Sequence, residues 1–468
     1  MARAKKETAL TPEERLQAAL VPDWEWPYKL PENWCWTRIG NYVDYVTDYV
    51  ANGSFASLKA NVSIFKDENY ALMVKTRDFA NGFTKSLTYT DKHGYDFLSK
   101  STLHGGELIL SNIGSVGKVF RVPYFDRPMT LASNSVMVKC YNSRDYDWMY
   151  YFLLSPIGFE ELKSITTGTA VPKFNKTDLK TIPLPVPPLA EQQRIVDRIE
   201  SLFAKLDEAK EKAQVVVDSF ETRKAAILHK AFTGELSAKW REEHDVGMES
   251  WEKHLLSTVS SLQTGLMKGK KYTGKTVELP YLRVANVQDG FLRLDEIKKI
   301  DVEENAISRY SLAVGDVLFT EGGDFDKLGR GTVWEGQIKN CLHQNHIFVV
   351  RPNPEVLNPY FLSYQAGSRY GKAYFLSCSK QTTNLASINS TQLKNFPVLI
   401  PSMMEQEVII RLLDSSLEKE QQTKNIAESV LDQIDLMKKS ILARAFRGEL
   451  GTNDPSEESA VELLKQII

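Results

Sequence analysis

The chain repeats a long segment of itself, and this repeat restricts the possible folds more than any other feature. The sequence LKTIPLPVPPLAEQ at residues 179–192 returns as LKNFPVLIPSMMEQ at residues 393–406, an offset of 214 residues. The same offset carries KAAILHKAFTGEL at 224–236 onto KKSILARAFRGEL at 438–450 without a gap. Because the register holds over about 58 residues, the two segments must be structurally equivalent.

Between its two ends, each copy of the repeat has the pattern of a long amphipathic helix. The first copy spaces its apolar residues alternately by three and four, at Ile195, Ile199, Leu202, Leu206, Ala209, Ala213, Val216, Phe220 and Ile227. The second copy has Ile409, Leu413, Ala427, Val430, Ile434, Met437 and Ile441 at matching positions, with polar interruptions at Ser416, Glu420 and Thr423. Neither copy contains Pro or Gly between about 189 and 233 or between 402 and 447, which predicts unbroken rods of roughly 60 Å.

Each helix follows a globular segment, and the two segments resemble each other faintly. Val74–Phe83 aligns with Leu282–Phe291, residues 105–120 align with 314–334, and SNSVMVK at 133–139 aligns with QNHIFVV at 344–350. Both segments read as short strands broken by Gly, Asn and Asp turns, followed by helical stretches at 146–155 and 358–368. Similar helices joined to divergent domains indicate a constant frame that carries variable binding modules.

These patterns predict an α+β chain with an internal pseudo-twofold repeat. It has two mixed α/β domains separated by two long antiparallel coiled-coil helices. The bounds are an N-terminal arm at 1–33, a first domain at 34–188, a central helix at 189–236, a linker at 237–250, a second domain at 251–402, a C-terminal helix at 403–450 and a tail at 451–468. A generic dimerisation coiled coil is the competing interpretation, and two equivalent helices in one chain favour pairing within the chain.

Composition and charge limit the function classes. The four cysteines are far apart without CxxC spacing, and no signal peptide or apolar run of membrane-spanning length is present, so we expect a soluble cytoplasmic protein without membrane contact. The net charge is −2, which by itself argues against a nucleic-acid partner. The globular segments are nevertheless mildly basic, with 17 Lys and Arg against 14 Asp and Glu at 34–184 and 18 against 14 at 251–398.

The sequence shows no convincing catalytic pattern. It lacks the GxxxxGK[ST] phosphate loop, the Asn/Asp-Pro-Pro-aromatic tetrapeptide of amino-methyltransferases and the HExxH zinc motif. His343 and His346 flank Asn345, but we interpret them as strand-end or surface residues and predict no metal site. An enzyme with an unrecognised site is a second competing hypothesis, and activity of the purified chain alone would favour it.

Polar and basic turn residues are the candidates for DNA contact, because Arg pairs with guanine and Asn or Gln pairs with adenine in the major groove, while Lys contacts phosphates. A solvated surface is the alternative for each of them. In the first domain the candidates are Lys75, Arg77, Asn81, Ser111, Asn112, Ser115, Lys118 and Lys173. In the second domain they are Lys268, Lys270, Lys271, Tyr272, Arg283, Asn286, Gln288, Lys327, Arg330, Lys380 and Asn384.

The paired openings IPLPVPPLAEQQRIV and FPVLIPSMMEQEVII, the paired closings ILHKAFTGEL and ILARAFRGEL, and LPENWCWTRIG at 30–40 resemble type I restriction-modification specificity subunits. The resemblance covers nearly the whole chain. It implies two target-recognition domains, each reading half of a bipartite site in double-stranded DNA, and conserved helices that bind two modification subunits.

The resemblance further implies a chain that is not an enzyme and holds no cofactor. S-adenosylmethionine would belong to the modification partner, which methylates adenine, and ATP and Mg would belong to the restriction partner, a motor-nuclease. A coiled-coil scaffold or interaction protein with two protein-binding domains is the alternative function. Sequence-specific DNA retention with the modification partner would exclude that alternative.

Overall fold

The computed structural model describes residues 11–267, 274–323, 328–381 and 386–468. The chain forms two compact units. The first unit contains the chain up to Lys212 together with Val430–Ile468, and the second contains Ala213–Ser429. Each unit therefore combines one globular domain with parts of both long helices.

The first half of the chain contains ten helices and ten strands among its described residues. The helices are α1 (Pro12–Ala19), α2 (Ile39–Tyr42), α3 (Phe55–Asn61), α4 (Thr76–Ala80), α5 (Lys92–Phe97), α6 (Ser143–Leu154), α7 (Pro156–Ser164), α8 (Lys176–Thr181), α9 (Leu189–Asp218) and α10 (Phe220–Phe232). The strands are β1 (Cys35–Arg38), β2 (Tyr45–Asp48), β3 (Ala71–Val74), β4 (Tyr89–Thr90), β5 (Thr102–Leu103), β6 (Leu108–Ser111), β7 (Val119–Arg121), β8 (Met129–Leu131), β9 (Ser135–Lys139) and β10 (Pro183–Val186).

The second half, over its described residues, repeats this arrangement. Its helices are α11 (Ala238–Glu243), α12 (Leu256–Val259), α13 (Ile307–Tyr310), α14 (Pro359–Gly367), α15 (Arg369–Cys378), α16 (Ser390–Lys394), α17 (Met403–Ala445) and α18 (Ala460–Ile467). Its strands are β11 (Glu252–Leu255), β12 (Ser260–Thr264), β13 (Thr276–Leu282), β14 (Lys298–Glu303), β15 (Val317–Thr320), β16 (Gly322–Gly323), β17 (Gly331–Val333), β18 (Leu342–His343), β19 (Ile347–Pro352), β20 (Lys380–Gln381), β21 (Ala386–Ser387) and β22 (Pro397–Ile400).

The two domains share one sheet topology. The main antiparallel sheet has the order β2-β9-β6-β7 in the first unit and β12-β19-β15-β17 in the second. A second sheet contains a parallel pair in each unit, β3 with β8 and β13 with β18. A short antiparallel pair, β1 with β10 and β11 with β22, connects each domain to the helix that follows it. The predicted mixed α/β repeat is confirmed.

One part of the sequence alignment is wrong by one residue. In the first unit Val136 faces the same core as the α6 residues, and in the second unit Phe348 does so. The equivalent of Val136 is therefore Phe348, an offset of 212, whereas the alignment of 133–139 with 344–350 used 211. A shift of one residue along a strand moves each side chain to the opposite face, so burial decides the register.

The long helices pair antiparallel within each unit. In the first unit Lys210 contacts Asp435 at 3.0 Å and Lys438 contacts Asp207, so residue numbers rise on one helix while they fall on the other. In the second unit Arg223 lies 2.6 Å from Glu420, and the ammonium of Lys424 lies 4.8 Å from the centre of the Phe220 ring, so the numbers again run in opposite directions. The predicted antiparallel coiled coil is confirmed within each unit.

The first long helix is not the unbroken rod that the sequence predicted. Helix α9 ends at Asp218 and α10 begins at Phe220. The Ser219 hydroxyl donates to the Val215 carbonyl, and Arg223 donates to the Val216 carbonyl at 3.1 Å. The Val215 carbonyl keeps its backbone bond from Ser219 N at 3.1 Å, so the hydroxyl is a second donor to it. The Val216 carbonyl accepts from the Arg223 side chain, and side-chain donors that enter the hydrogen-bond ladder in this way are a known cause of helix interruption. Helix α17 has no such break over its 43 residues, which correspond to about 65 Å.

The predicted seam also changes near its end. Met437 is exposed rather than buried, and the ammonium of Lys438 lies 4.8 Å from the centre of the Phe203 ring. Leu442 is buried where the sequence placed Ile441 in the seam. Ala427 and Ile434, which follow the polar interruption, are still buried, so the change begins after Ile434. From Ile434 to Lys438 and Leu442 the inward-facing positions are spaced by four residues, which shifts the phase of the stripe.

The closing motifs of the repeat attach each helix end to a domain. Phe446 packs against Trp148 of α6, with ring centres 4.5 Å apart, and Phe232 packs against Phe361 of α14 at 5.3 Å. The following glycines, Gly234 and Gly448, have φ values of 81° and 72°, which is the left-handed conformation that ends a helix. The AFTGEL and AFRGEL sequences are thus an aromatic anchor followed by a helix stop.

Candidate nucleic-acid interface

The loop after the central strand of each domain meets a second loop from later in the chain. In the first unit, Phe174 N donates to Asn112 O at 3.1 Å and Gly114 N donates to Pro172 O at 2.8 Å. In the second unit, Ile388 N donates to Glu321 O at 2.8 Å. Phe174 and Ile388 are equivalent at the repeat offset of 214, so the same backbone bond is formed twice.

We call these groups loop cluster 1 (residues 111–118 and 166–174) and loop cluster 2 (residues 320–323, 328–331, 344–346, 379–381 and 386–388). Lys173 is joined by two backbone bonds to Thr167, both 2.8 Å long, in cluster 1. In cluster 2, β21 lies between β16 and β20. Thr166 and Lys380 are equivalent at the repeat offset of 214, so the later segment of each cluster starts from the same position in the repeat.

Another loop follows β3 in the first unit and β13 in the second. Lys75 N donates to the Asp78 carboxylate at 2.8 Å, and Arg283 N donates to Asn286 Oδ1 at 2.8 Å. Both capping side chains are buried, with exposures of 0% for Asp78 and 3% for Asn286. The two loops thus share one turn, in which a buried side chain accepts a hydrogen bond from the backbone N–H three residues earlier.

Asn286, which the sequence predicted as a DNA-contacting residue, is buried and hydrogen-bonded within its own loop. Its amide nitrogen donates to Arg293 O at 2.8 Å and to Glu296 O at 3.1 Å, while its oxygen accepts from Arg283 N. Both donor hydrogens of the amide are therefore used inside the loop. The alignment of Val74–Phe83 with Leu282–Phe291 already pairs Asp78 with Asn286, and this pairing indicates a shared cap.

Charges near this turn change the ionisation of its residues. Burial raises the pKa of Asp78, and the N–H of Lys75 and the nearby Arg77 and Lys75 charges act in the opposite direction. Burial lowers the pKa of Lys75, and the Arg77 charge adds to that effect. Lys75 is therefore half-buried in the turn and bonded to its cap through its backbone N–H.

The other first-domain candidates divide into exposed and structural residues. Arg77, Ser115, Lys118 and Lys173 are exposed. Asn81 instead braces its own turn, donating to Lys85 O at 2.9 Å and accepting from Phe83 N at 3.1 Å.

Ser111 and Asn112 also make contacts within the domain. Ser111 is 3% exposed at the end of β6, and Asn112 donates its amide to Phe174 O at 3.2 Å. Both side chains hold cluster 1 together, since they lie where the strand turns into the loop. The exposed candidate Arg77 lies at the edge of an open cavity of about 560 Å³ that Lys66, Thr84 and Ser86 also line.

In the second domain, one side-chain contact joins two of the predicted loops. Arg330 Nη1 donates to Gln288 Oε1 at 3.1 Å, and Gln288 Nε2 donates to Ala285 O at 2.8 Å. Arg283 lies 3.5 Å from the Glu296 carboxylate, with a quarter of its side chain exposed, and Lys380 is exposed. The candidates Lys268, Lys270, Lys271, Tyr272, Lys327 and Asn384 lie outside the described residues.

Sequence reasoning missed two buried carboxylates that support the clusters. Glu107 accepts from the backbone N–H groups of His104 and Gly105, both at 2.8 Å, just before β6. At the equivalent position before β15, Asp316 accepts from Ala313 N at 2.7 Å and binds Arg351 through both oxygens at 2.7 and 2.8 Å. In the aligned segments, Gly106–Glu107 pairs with Gly315–Asp316, and this shared glycine-acid pair indicates the common turn.

The described residues contain no group of three or more His, Cys, Asp and Glu side chains that could hold a metal ion. His343 is buried in β18 and His346 is exposed before β19. Burial lowers the pKa of His343 to about 4, and its Nδ1 lies 3.0 Å from Tyr310 O. No helix in the described parts of the chain has the length and apolar character to cross a membrane.

The fold and these loops define a two-module binding protein, with equivalent modules on a frame of paired helices. Comparison with known proteins then identifies its family. The model for the type I restriction modification DNA specificity domain matches residues 46–216 and 248–431, and the chain belongs to this family of specificity subunits.

Individual relatives agree with the family match. The chain is 26% identical over 327 residues to the EcoKI specificity subunit of Escherichia coli strain K12, covering 68% of this chain and 70% of that protein. It is 24% identical over 437 residues to the MjaVIII specificity subunit of Methanocaldococcus jannaschii, covering 90% and 94%. The crystal structure of the HsdS subunit from Thermoanaerobacter tengcongensis has the same fold, with a TM-score of 0.56, 19% identity and coverage of 91% and 100%. These findings do not favour a scaffold with two protein-binding domains.

Proposed function

We propose that this chain reads a bipartite site in double-stranded DNA, one half through each loop cluster, and directs adenine methylation and restriction by partner subunits. The observation that carries the proposal is the repeated backbone frame, Phe174 with Asn112 and Ile388 with Glu321, which holds different side chains in the two units. A constant frame with variable exposed residues is what two independent readers of different half-sites require. The exposed lysines of the clusters supply charge for phosphate contacts.

The proposed partners follow from the class of subunit. Two modification subunits would bind one to each repeat of the helical frame and hold S-adenosylmethionine, and restriction subunits would use ATP and Mg. The chain itself would hold no cofactor and perform no chemistry. Because the complex would act on the host's own DNA, we expect it in the cytoplasm.

Methylation measurements test this division of labour. We expect the purified chain alone to leave DNA unmodified, and the chain with its modification partner to methylate adenines in one bipartite motif. Sequencing of methylated adenines in cells with and without this chain provides the motif. Methylation by the isolated chain would refute the proposal, and so would a motif that does not depend on the chain.

Domain exchange tests which part reads which half. Replacing residues 34–184 by the corresponding domain of another family member should change one half-site and leave the other intact. The reciprocal exchange of residues 251–398 is the matched control and should change only the second half. If either exchange alters both halves, the two modules do not read independently.

A further inference from the structure

Glu321 occupies the centre of loop cluster 2. It directly follows β15, its N–H donates to His346 O at 3.0 Å, and its carbonyl accepts from Ile388 N at 2.8 Å. Two segments that are distant in sequence therefore hold its backbone in place. Its side chain remains 38% exposed.

The Glu321 carboxylate is oriented by a short chain of side-chain contacts. Nδ1 of His346 is hydrogen-bonded to a carboxylate oxygen, and Nε2 of the same ring lies 3.4 Å from the amide nitrogen of Asn345. A carboxylate only accepts hydrogen bonds, so Nδ1 of His346 carries the proton that is donated to Glu321. His346 thus occupies one side of the carboxylate and leaves acceptor capacity on the other.

The equivalent position in the first unit has different chemistry. Asn112 follows β6 as Glu321 follows β15, and it makes the same backbone bond, to Phe174. The corrected strand register places Asn134 at the position of His346. One unit therefore has neutral amides where the other has a carboxylate and an imidazole. The Asn112 amide is used to hold cluster 1 together, whereas among the described residues the Glu321 side chain has no such bond to the backbone of its own cluster and stays 38% exposed.

An acidic side chain on a surface that faces phosphates needs a specific partner. Its neighbours in cluster 2 include the exposed Lys380 and also Arg330, whose carbonyl accepts from Thr320 N at 3.2 Å. A carboxylate and a phosphate are both anions and both lack a donor hydrogen, so Glu321 is repelled by the backbone of DNA and cannot hydrogen-bond to it. The donors in the major groove are the amino groups N4 of cytosine and N6 of adenine, and Glu is a natural partner of cytosine N4.

We propose that Glu321, positioned by His346, reads one base of the second half-site by accepting a hydrogen bond from the amino group of a cytosine or adenine. This inference rests on the proposed function, because it assumes that loop cluster 2 faces DNA. It assigns a specificity-determining role to a residue that the sequence patterns did not single out.

The test uses the full chain in complex with its modification partner, and the parent motif from methylome sequencing. Affinity is measured for the parent duplex and for duplexes in which each base pair of each half-site is replaced in turn. We expect Glu321→Ala to weaken binding of the parent duplex about ten-fold to hundred-fold and to abolish discrimination at one position of the second half-site. A cytosine at that position identifies N4 as the donor, and an adenine identifies N6.

Two further variants control for folding and charge. Glu321→Gln preserves the shape and an acceptor oxygen, and we expect it to weaken discrimination at the same position. Glu355→Gln removes a charge from an exposed residue beyond the other end of β19, and it should leave every position unchanged. Retained discrimination in the first half-site shows in each variant that the complex is intact.

Each contrary outcome has a definite meaning. Unchanged discrimination at all positions in Glu321→Ala overturns the inference, and so does tighter binding to every duplex, which would show simple repulsion of phosphates. A parent complex that binds no specific site refutes the proposed function itself. That failure is seen before any variant is compared, so the two can be distinguished.

Discussion

The indole N–H of Trp34 donates a 2.7 Å hydrogen bond to the carboxylate of Glu191, in the first turn of α9. Trp251 makes the equivalent bond, at 3.1 Å, to Glu405 in the first turn of α17. Both glutamates are completely buried. The EQ dipeptide that opens each repeat is therefore an internal polar junction between a domain and the helix that follows it.

The two junctions are completed by different parts of the chain. In the second unit, Ser237 and Arg241 bond to Glu405 at 2.7 and 2.8 Å. In the first unit, Asn453 of the tail bonds to Glu191 at 2.8 Å. The tail that follows the second repeat thus completes the junction of the first unit. The linker that follows the first repeat completes the junction of the second unit.

Glu405 should be a strong determinant of the stability of the second unit. Glu405→Ala leaves the Arg241 guanidinium buried without its carboxylate, and removing one partner of a buried ion pair typically costs about 3–5 kcal/mol. Denaturant unfolding, followed by a probe in the second unit, measures the change. Glu407→Ala alters an exposed residue of the same helix and should stay within about 0.5 kcal/mol. Equal effects of the two variants would contradict this account.

Removal of residues 451–468 should destabilise the first unit selectively. Arg194 binds Glu457 through both oxygens at 2.7 and 2.8 Å, Arg15 donates to Ile468 O at 2.9 Å, and Leu464 is completely buried. Truncation exposes this surface and leaves Glu191 with fewer partners. Hydrogen exchange should show reduced protection in 11–33 and at the start of α9.

A pair of single variants separates the ion pair from general tail effects. Glu457→Gln should reproduce part of the reduction in protection, whereas Glu458→Gln changes an exposed neighbour and should have no effect. The second unit should keep its protection in all three proteins. A uniform reduction across both units would show that the tail does not act locally.

The second unit should lose stability as pH falls from about 6.5 to about 4. His343 is neutral and buried, with its pKa lowered by burial from the ordinary 6.5 to about 4. Between these values the unfolded chain binds a proton that the folded chain does not, so stability decreases as pH falls and levels off below the folded pKa. At about 1.4 kcal/mol per pKa unit, the loss is roughly 3 kcal/mol.

Urea unfolding at several pH values checks this prediction. His343→Gln removes the titrating group and should reduce the pH dependence in this range, although its stability at neutral pH is lower. His229→Gln changes an exposed histidine of α10 in the same unit and serves as the control. The same pH profile in His343→Gln as in the parent would contradict the assignment.

Lys118 and Lys173 should bind phosphates in the first half-site. Each Ala substitution should weaken binding to all sequences alike, and the slope of log K against log salt should fall in magnitude by about 0.9 for each phosphate that the variant no longer neutralises. Affinity titrations at several salt concentrations provide the slope. Lys180→Ala changes an exposed lysine at the end of α8, outside cluster 1, and should leave the slope unchanged. A changed preference at one base pair would instead assign a base contact.

Part of the candidate site could be predicted from the sequence because turn residues follow the strand pattern. Arg77, Lys118, Lys173 and Lys380 are exposed on the expected loops. Asn286 could not be distinguished from them, because polarity alone does not reveal whether an amide faces solvent or bonds to carbonyls several residues away. The sequence patterns did not single out Glu321, because the contacts that orient it come from His346 and Ile388, which are distant in sequence.

The sequence by itself determined the repeat, the two long helices and the alternation of domain and helix. These properties follow from local periodicity and from identical spacing, which do not depend on distant contacts. Only the tertiary structure decided the strand register at Phe348 and the pairing of Glu191 with Asn453. The register depends on which face of the strand packs against the core, and the pairing depends on which groups reach one buried carboxylate. Both are settled by packing between segments that are distant in sequence, up to 262 residues apart for Glu191 and Asn453.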